Sequence, residues 1–220
     1  QSFHLPKLRL CPCQSLPTML FLRLVALVAL YGFSSAAKEE AFQVKFDVVL
    51  APGSYGSFII ECYPEWAPLG VAQFREIIET KIWTGARFFR VIPDFMVQWG
   101  IPGKTSDAAA WDSKKIKDDP VVESNRRGLI SFATSGKDTR TTQVFINFAD
   151  NANLDGLGFS PFGKVIEGMD VVDKIYSGDR ENPEQGKIKA EGNKYLKKKH
   201  PRLSYIKSAD FLGADASPEL

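Results

Sequence analysis

The chain has 220 residues, of which 44% are hydrophobic, 12% aromatic and 25% charged. That excludes collagen-like, disulfide-dense and wholly disordered proteins, and the length suits one domain with a sizeable core. The formal charge of +2 is uneven: residues 1–37 hold Lys7, Arg9 and Arg23 and no acid, leaving 25 basic against 26 acidic residues. Nucleic-acid binding through bulk positive charge therefore loses its support.

Residues 1–37 read as a leader. Met19 opens an apolar run that continues past Arg23 to Tyr31, and the small residues Ser34, Ser35, Ala36 and Ala37 follow. Basic residue, short apolar core and small-residue cleavage site is the order of a secretory signal peptide. A membrane-spanning helix needs about 20 uninterrupted apolar residues; this run is shorter and carries Arg23. Residues 1–18 are expected to precede the start of translation at Met19. The expected destination is the secretory pathway, ER lumen or secreted, with no membrane attachment after signal removal.

Residues 38–220 read as one domain. Phe42, Val44, Phe46 and Val48 alternate with Gln43, Lys45 and Asp47, the pattern of a half-buried strand. Pro52 to Gly56 predicts a turn and Ser57–Tyr63 its hairpin partner. Pro64 and Pro68 precede a helix predicted within 69–82, where Phe74, Ile77, Ile78 and Ile82 share a face. Arg87–Ile92 and Met96–Trp99 are strand-like, whereas 101–128 is polar and irregular. Further strands are predicted at Leu129–Ala133, Gln143–Phe148 and Phe162–Val165, and a second short helix at Gly168–Ile175. A charged connection over 177–201 leads to a closing strand at Leu203–Leu212. Many short strands with two helices predict a closed or nearly closed β-architecture capped by helices.

Several chemistries fall away. The two histidines are His4 and His200, too few for a pair of zinc-binding histidines in the body, and a lone His200 argues against Ser-His-Asp catalysis. Cys11-Pro-Cys13 lacks the second pair a metal site needs, and Cys62 reads as packing in a strand. Gly158 to Gly163-Lys164-Val165 approaches a phosphate loop, but Val165 has no hydroxyl for magnesium. Lys197–His200 reads as a solvated turn, with a contact patch as the alternative, and Asp118-Asp119 as surface charge. No cofactor or metal is expected.

An unusual set of strand residues remains. Arg90 interrupts the apolar run Phe88–Ile92. Met96 and Gln98 share parity on the next segment, as do Gln143 and Phe145 on another. Each has a plain structural reading: Arg90 snorkelling or holding a carboxylate, Met96 and Phe145 as core, the glutamines as edge hydrogen-bonders. Together they describe an apolar patch with one guanidinium and two amides.

Arg87-Phe-Phe-Arg90-Val-Ile-Pro-Asp-Phe95-Met96-Val-Gln98-Trp-Gly100 resembles the F-x-R-x-x-x-x-F-M-x-Q-x-G signature of cyclophilin-type peptidyl-prolyl cis-trans isomerases. Gly128–Ala133 with Thr142–Ile146 resembles their second signature, and Leu154-Asp-Gly156 with Phe162–Val165 a third. The similarity runs from about 41 to 212. It implies a mainly β fold, a closed eight-stranded antiparallel cyclophilin-like β-barrel capped by two α-helices. Its implied function is isomerisation of Xaa-Pro bonds in proline-containing peptides and in unfolded or flexible protein chains.

Carried over, Arg90 resembles the catalytic arginine, and Phe95, Met96, Phe145 and Leu154 the walls of the proline pocket. Gln98 and Gln143 resemble the amides that hold the substrate backbone, and Ala133 and Thr134 the strand beside which it pairs. Thr134 stands where asparagine is common. The chemistry suits these types. Peptide rotation faces a barrier of about 18–20 kcal/mol, and catalysis requires only that the twisted amide be favoured over both planar forms. An arginine donor meets that need without titrating. Two departures stand out. Asn153 replaces the tryptophan that contacts cyclosporin-type inhibitors, which implies weak cyclosporin binding. No histidine follows Leu-Asp-Gly, where Phe159 is placed to fill the ring's position. These departures keep a second expectation open: a catalytically weak proline-binding or chaperone module.

Overall fold

The computed structural model describes residues 40–213; the leader reading at 1–37, with His4, Cys11 and Cys13, lies outside the described residues. In chain order the elements begin β1 (Phe42–Ala51), β2 (Ser54–Cys62), α1 (Pro68–Glu79), β3 (Arg90–Ile92), β4 (Met96–Trp99) and α2 (Thr105–Asp112). β5 (Leu129–Phe132), β6 (Val144–Asn147), a 3₁₀ segment (Ala152–Leu157) and β7 (Pro161–Glu167) follow. α3 (Met169–Asp173), α4 (Gln185–Glu191), α5 (Asn193–Lys199) and β8 (Tyr205–Leu212) complete the order.

Alternation in β1 turns Phe42, Val44, Phe46 and Val48 inward, each at most 3% exposed. Pro52 and Gly53 alone make the hairpin turn, with Gly53 at φ +77°, a proline-then-glycine order that fixes a tight turn. β2 therefore starts at Ser54, earlier than the predicted turn allowed. The register sets Phe46 opposite Phe58, and their rings stack at 5.0 Å.

All strands join one antiparallel sheet in the order β3-β4-β6-β5-β7-β2-β1-β8. Its two end strands meet through the segment leading into β3. Gly85 N donates to Ile206 O (2.8 Å), Ile206 N to Ala86 O (2.9 Å), and Phe88 N to Ser204 O (3.1 Å). These three bonds pair the first residues of β8, and so cover part of what would otherwise be an open edge. The interior holds Phe46, Phe74, Trp83, Trp99 and Phe162, all at most 1% exposed. α1 closes it with Val71, Phe74, Ile77 and Ile78.

Ala67 at the start of α1 offers no side-chain cap. Asp119, far along the chain, accepts from Leu69 N (3.0 Å) and Gly70 N (2.8 Å) instead. It is 5% exposed and pairs with buried Arg140 at 3.1 Å. The expectation of surface charge at Asp118-Asp119 is therefore corrected for Asp119, whose burial is compensated by two helix-terminal N–H groups and a guanidinium.

Among the described residues, three helices appear beyond the two expected. α2 lies in the stretch read as irregular, and α4 and α5 lie in the charged connection. The latter two bury Ile188, Tyr195 and Leu196 beside Phe89, Ile101 and Leu203. His200 is likewise no solvated turn. It ends α5, with its ring bonded to Asp179 (2.8 Å) and Tyr195 (3.2 Å). No described helix is long and apolar enough to cross a membrane.

Candidate active site

Short strands place the cleft residues by register. Arg90 on β3 sits directly opposite Gln98 on β4, and Gln98 opposite Phe145 on β6. Gly100, which ends the signature run, has φ +116°, and a Cβ there would lie 2.1 Å from Thr142 O. Only glycine lets β4 approach the chain just before Gln143 this closely. That approach brings the two glutamines together: Gln98 Nε2 donates to Gln143 Oε1 at 2.9 Å.

Arg90 Nη1 donates to Gln98 Oε1 at 3.3 Å and Nε to Glu181 Oε2 at 3.1 Å. The guanidinium also stands 5.9 Å from the Phe95 ring centre. Met96, Phe145 and Leu154 form a buried apolar cluster, against which Phe95, Ala133 and Phe159 pack. Phe159 meets Phe145 edge-on at 5.6 Å, a favoured aromatic arrangement. Ala133 N donates to Gln143 O at 2.9 Å, and the Thr134 hydroxyl bonds to Thr139 Oγ1 at 2.9 Å and to Gly136 O.

One cleft of about 440 Å³ is lined by all ten sequence-predicted residues: Arg90, Phe95, Met96, Gln98, Ala133, Thr134, Gln143, Phe145, Leu154 and Phe159. Asn153, which precedes the lining residue Leu154 on the 3₁₀ segment, is exposed. Among the described residues, no three His, Cys, Asp or Glu side chains cluster to hold a metal ion.

The sequence reading missed the polar flank. Asp112, Lys115, Gln185 and Lys189 also line the cleft, from α2 or the residues just after it and from α4. The hydrogen bond from Lys189, at 2.6 Å, holds the Asp112 carboxyl below the usual range. The pair Ala108/Trp111 and the spacing of Ile188, Tyr195 and Leu196 were the available helical signals.

A network of buried amides supports the apolar walls. Asn125, fully buried, donates Nδ2 to Asp155 Oδ1 and to Phe159 O, each at 2.8 Å. Its Oδ1 accepts from Ser131 Oγ (2.8 Å) and Asn147 Nδ2 (3.3 Å). Asn151 Nδ2 donates to Phe95 O at 2.9 Å. Asn151 Nδ2 also donates to Asn147 Oδ1 (2.8 Å) and its backbone oxygen accepts from Leu154 N (2.9 Å), so Phe95, Leu154 and Phe159 hang from one set of hydrogen bonds.

The eight strands form the antiparallel sheet that the resemblance implies, and its cleft sets an arginine and two amides beside an apolar pocket. The family model for cyclophilin-type peptidyl-prolyl cis-trans isomerases matches residues 47–193, and the chain belongs to that family. It is 41% identical over 145 residues to peptidyl-prolyl cis-trans isomerase A of Dickeya dadantii, covering 61% of this chain and 73% of that protein. It is 40% identical over 126 residues to a peptidyl-prolyl cis-trans isomerase of Acinetobacter baylyi, covering 54% and 66%. A Gibberella zeae protein named peptidyl-prolyl cis-trans isomerase-like 2 is 32% identical over 153 residues, 66% of this chain but 26% of that protein.

Proposed function

We propose that this protein accelerates rotation about Xaa-Pro bonds in flexible or unfolded chains and so assists their folding. One observation carries the reading. Arg90 shares a cleft with the Met96–Phe145–Leu154 pocket, has Nε and Nη1 already bonded, and keeps Nη2 without a partner among the described residues. The apolar walls take the proline ring. Gln98, Gln143 and the Ala133–Thr134 segment just past β5 hold the peptide on either side. As the amide twists, its nitrogen becomes pyramidal and basic, and Nη2 donates to it or to a neighbouring carbonyl more strongly than in the planar state.

The test is cis-to-trans isomerisation of an Ala-Pro peptide by the unaltered chain and by Arg90→Ala. Losing one preorganised donor should lower kcat/KM by about 10²- to 10³-fold, with peptide affinity changed far less. Full turnover in Arg90→Ala would sink the mechanism. Binding without turnover by the unaltered chain would favour the catalytically weak proline-binding module that Asn153 motivates. The cleft offers cyclosporin-type inhibitors no indole at Asn153, so weak binding is part of the reading. The order of the leader supports entry into the secretory pathway, which a fusion protein carrying residues 19–220 would test by its location.

A further inference from the structure

The Arg90 side of the cleft is bordered by a loop to which the proline-pocket chemistry gives no task. Ser177–Glu184 passes along β3. Val91 N donates to Arg180 O at 2.9 Å, beside the point where Arg90 Nε meets Glu181 Oε2 at 3.1 Å. Backbone and side chain of the same loop thus grip neighbouring residues of one strand.

The loop is itself held at both ends. Asp179 accepts from Tyr176 Oη at 3.2 Å and pairs with His200 Nδ1 at 2.8 Å. Tyr195 Oη lies 3.2 Å from the other ring nitrogen of His200 and accepts from Glu184 N at 3.3 Å. Between these anchors, Arg180 adopts φ +51°, a left-handed conformation that a non-glycine residue keeps only when its surroundings impose it. Arg180 N bonds to Ser177 O (3.1 Å) and Asn182 N to Asp179 O (2.9 Å), closing successive turns around it. Glu181 sits at the centre of a braced segment.

We propose that Glu181 is a positioning residue for Arg90, an inference that rests on the isomerase reading. The Glu181 side chain is 63% exposed, and an ion pair so open to water adds little to stability. Its effect lies in geometry. An arginine side chain loses much rotamer freedom when fixed. Glu181 on Nε and Gln98 on Nη1 define the plane of the guanidinium before substrate arrives, and Nη2 is left to donate. Only a donor already in place contributes fully to the brief twisted state.

The full chain, Glu181→Ala, Glu181→Gln and Arg90→Ala are compared by isomerase kinetics, thermal unfolding and the ¹⁵Nε–¹Hε NMR signal of Arg90. Glu181→Ala should lower kcat about 5- to 30-fold, with KM within about twofold and an unchanged melting temperature. Glu181→Gln, which keeps an acceptor oxygen, should recover most of the rate. In the Arg90→Ala background the Glu181→Ala change should have no further effect, because the two act as one unit. The Arg90 Nε–Hε signal should be sharp in the unaltered chain and exchange-broadened in Glu181→Ala. Turnover of Glu181→Ala within twofold of the unaltered chain, alongside collapse in Arg90→Ala, would overturn the brace and leave the isomerase reading standing. Absence of turnover in the unaltered chain would overturn that reading instead. The Arg90 signal would then decide the brace alone: equal broadening in both forms overturns it.

Discussion

Gln98 turns its carbonyl oxygen to Arg90 Nη1 at 3.3 Å and its amide nitrogen to Gln143 Oε1 at 2.9 Å. The order is dictated from one end. Arginine has no acceptor, so Gln98 must offer oxygen to it; Gln98 then has only N–H to offer Gln143, which in turn presents oxygen inward. The amide nitrogen of Gln143 is thereby left without a side-chain partner among the described residues. Gln98→Leu, close in size, removes both contacts. Stopped-flow peptide isomerisation should show kcat/KM reduced about 10- to 100-fold, the worth of a hydrogen bond to a charged group. A value within twofold would remove Gln98 from the relay.

Asn125 joins the loop before β5 to Asp155, Phe159, Ser131 and Asn147 while fully buried. Asn125→Ala strands several of these partners without water. Each such group costs about 1–3 kcal/mol, so a loss of about 3 kcal/mol is expected. In a domain of this size that lowers the melting temperature by about 6–12 °C. KM for proline peptides should rise as well, because Leu154 and Phe159 lose their support. A drop below about 2 °C would show the network to be dispensable.

The cleft was far more legible in the sequence than its surroundings. Arg90 to Gly100 is a contiguous run on two paired strands, so parity alone groups Met96 with Gln98, and β1 declares itself by strict alternation. Asp119 could not be read this way. Its burial depends on Arg140 and on the N-terminus of α1, partners that only the fold brings near. Glu181 was hidden for the same reason. α4 and α5 did carry a helical signal in Ile188, Tyr195 and Leu196, but the surrounding lysines masked it as a solvated connection. α2 buries only Ala108 and Trp111, too little apolar pattern to declare a helix.

Asp155 should make stability depend on acid. Burial by itself would raise its pKa, but the bonds from the Ser124 hydroxyl and from Asn125 outweigh it and hold the carboxyl below the usual value. A carboxylate depressed in the folded state contributes its full stability above its unfolded pKa of about 3.9 and loses it as pH falls toward the lower folded value. Urea midpoints measured from pH 7 downward should therefore fall for the unaltered chain as it enters that range. Asp155→Asn should start lower at pH 7 and show a smaller decline, so the two curves converge in acid. Parallel curves would remove Asp155 as the source.

Cys62 lies on β2, fully buried and without a disulfide partner among the described residues, and burial pushes its thiol well above the ordinary range. Only the thiolate reacts rapidly with alkylating agents. In the folded chain at pH 8, Cys62 should remain unmodified by iodoacetamide for as long as the barrel stays closed, and become fully modified in urea. Mass spectrometry of the peptide containing Cys62 reads the difference directly. Modification at the rate of a free thiol would mean that β2 opens far more readily than its core position allows.

Asn153 is exposed immediately before Leu154, the residue that carries the pocket wall on the 3₁₀ segment. A tryptophan there would adjoin the pocket-wall residue Leu154 at an exposed position, and an exposed indole next to an apolar pocket is a common source of binding energy. Asn153→Trp should therefore strengthen cyclosporin binding at least about tenfold, equivalent to about 1.4 kcal/mol, as measured by inhibition of peptide turnover. Turnover without inhibitor should stay within about threefold, because Asn153 does not line the cleft that holds Arg90 and the glutamine pair, and tryptophan adds no charge. Equal affinity in the two forms would mean that the loop carrying Leu157 and Phe159, rather than the missing indole, limits inhibitor access to the pocket.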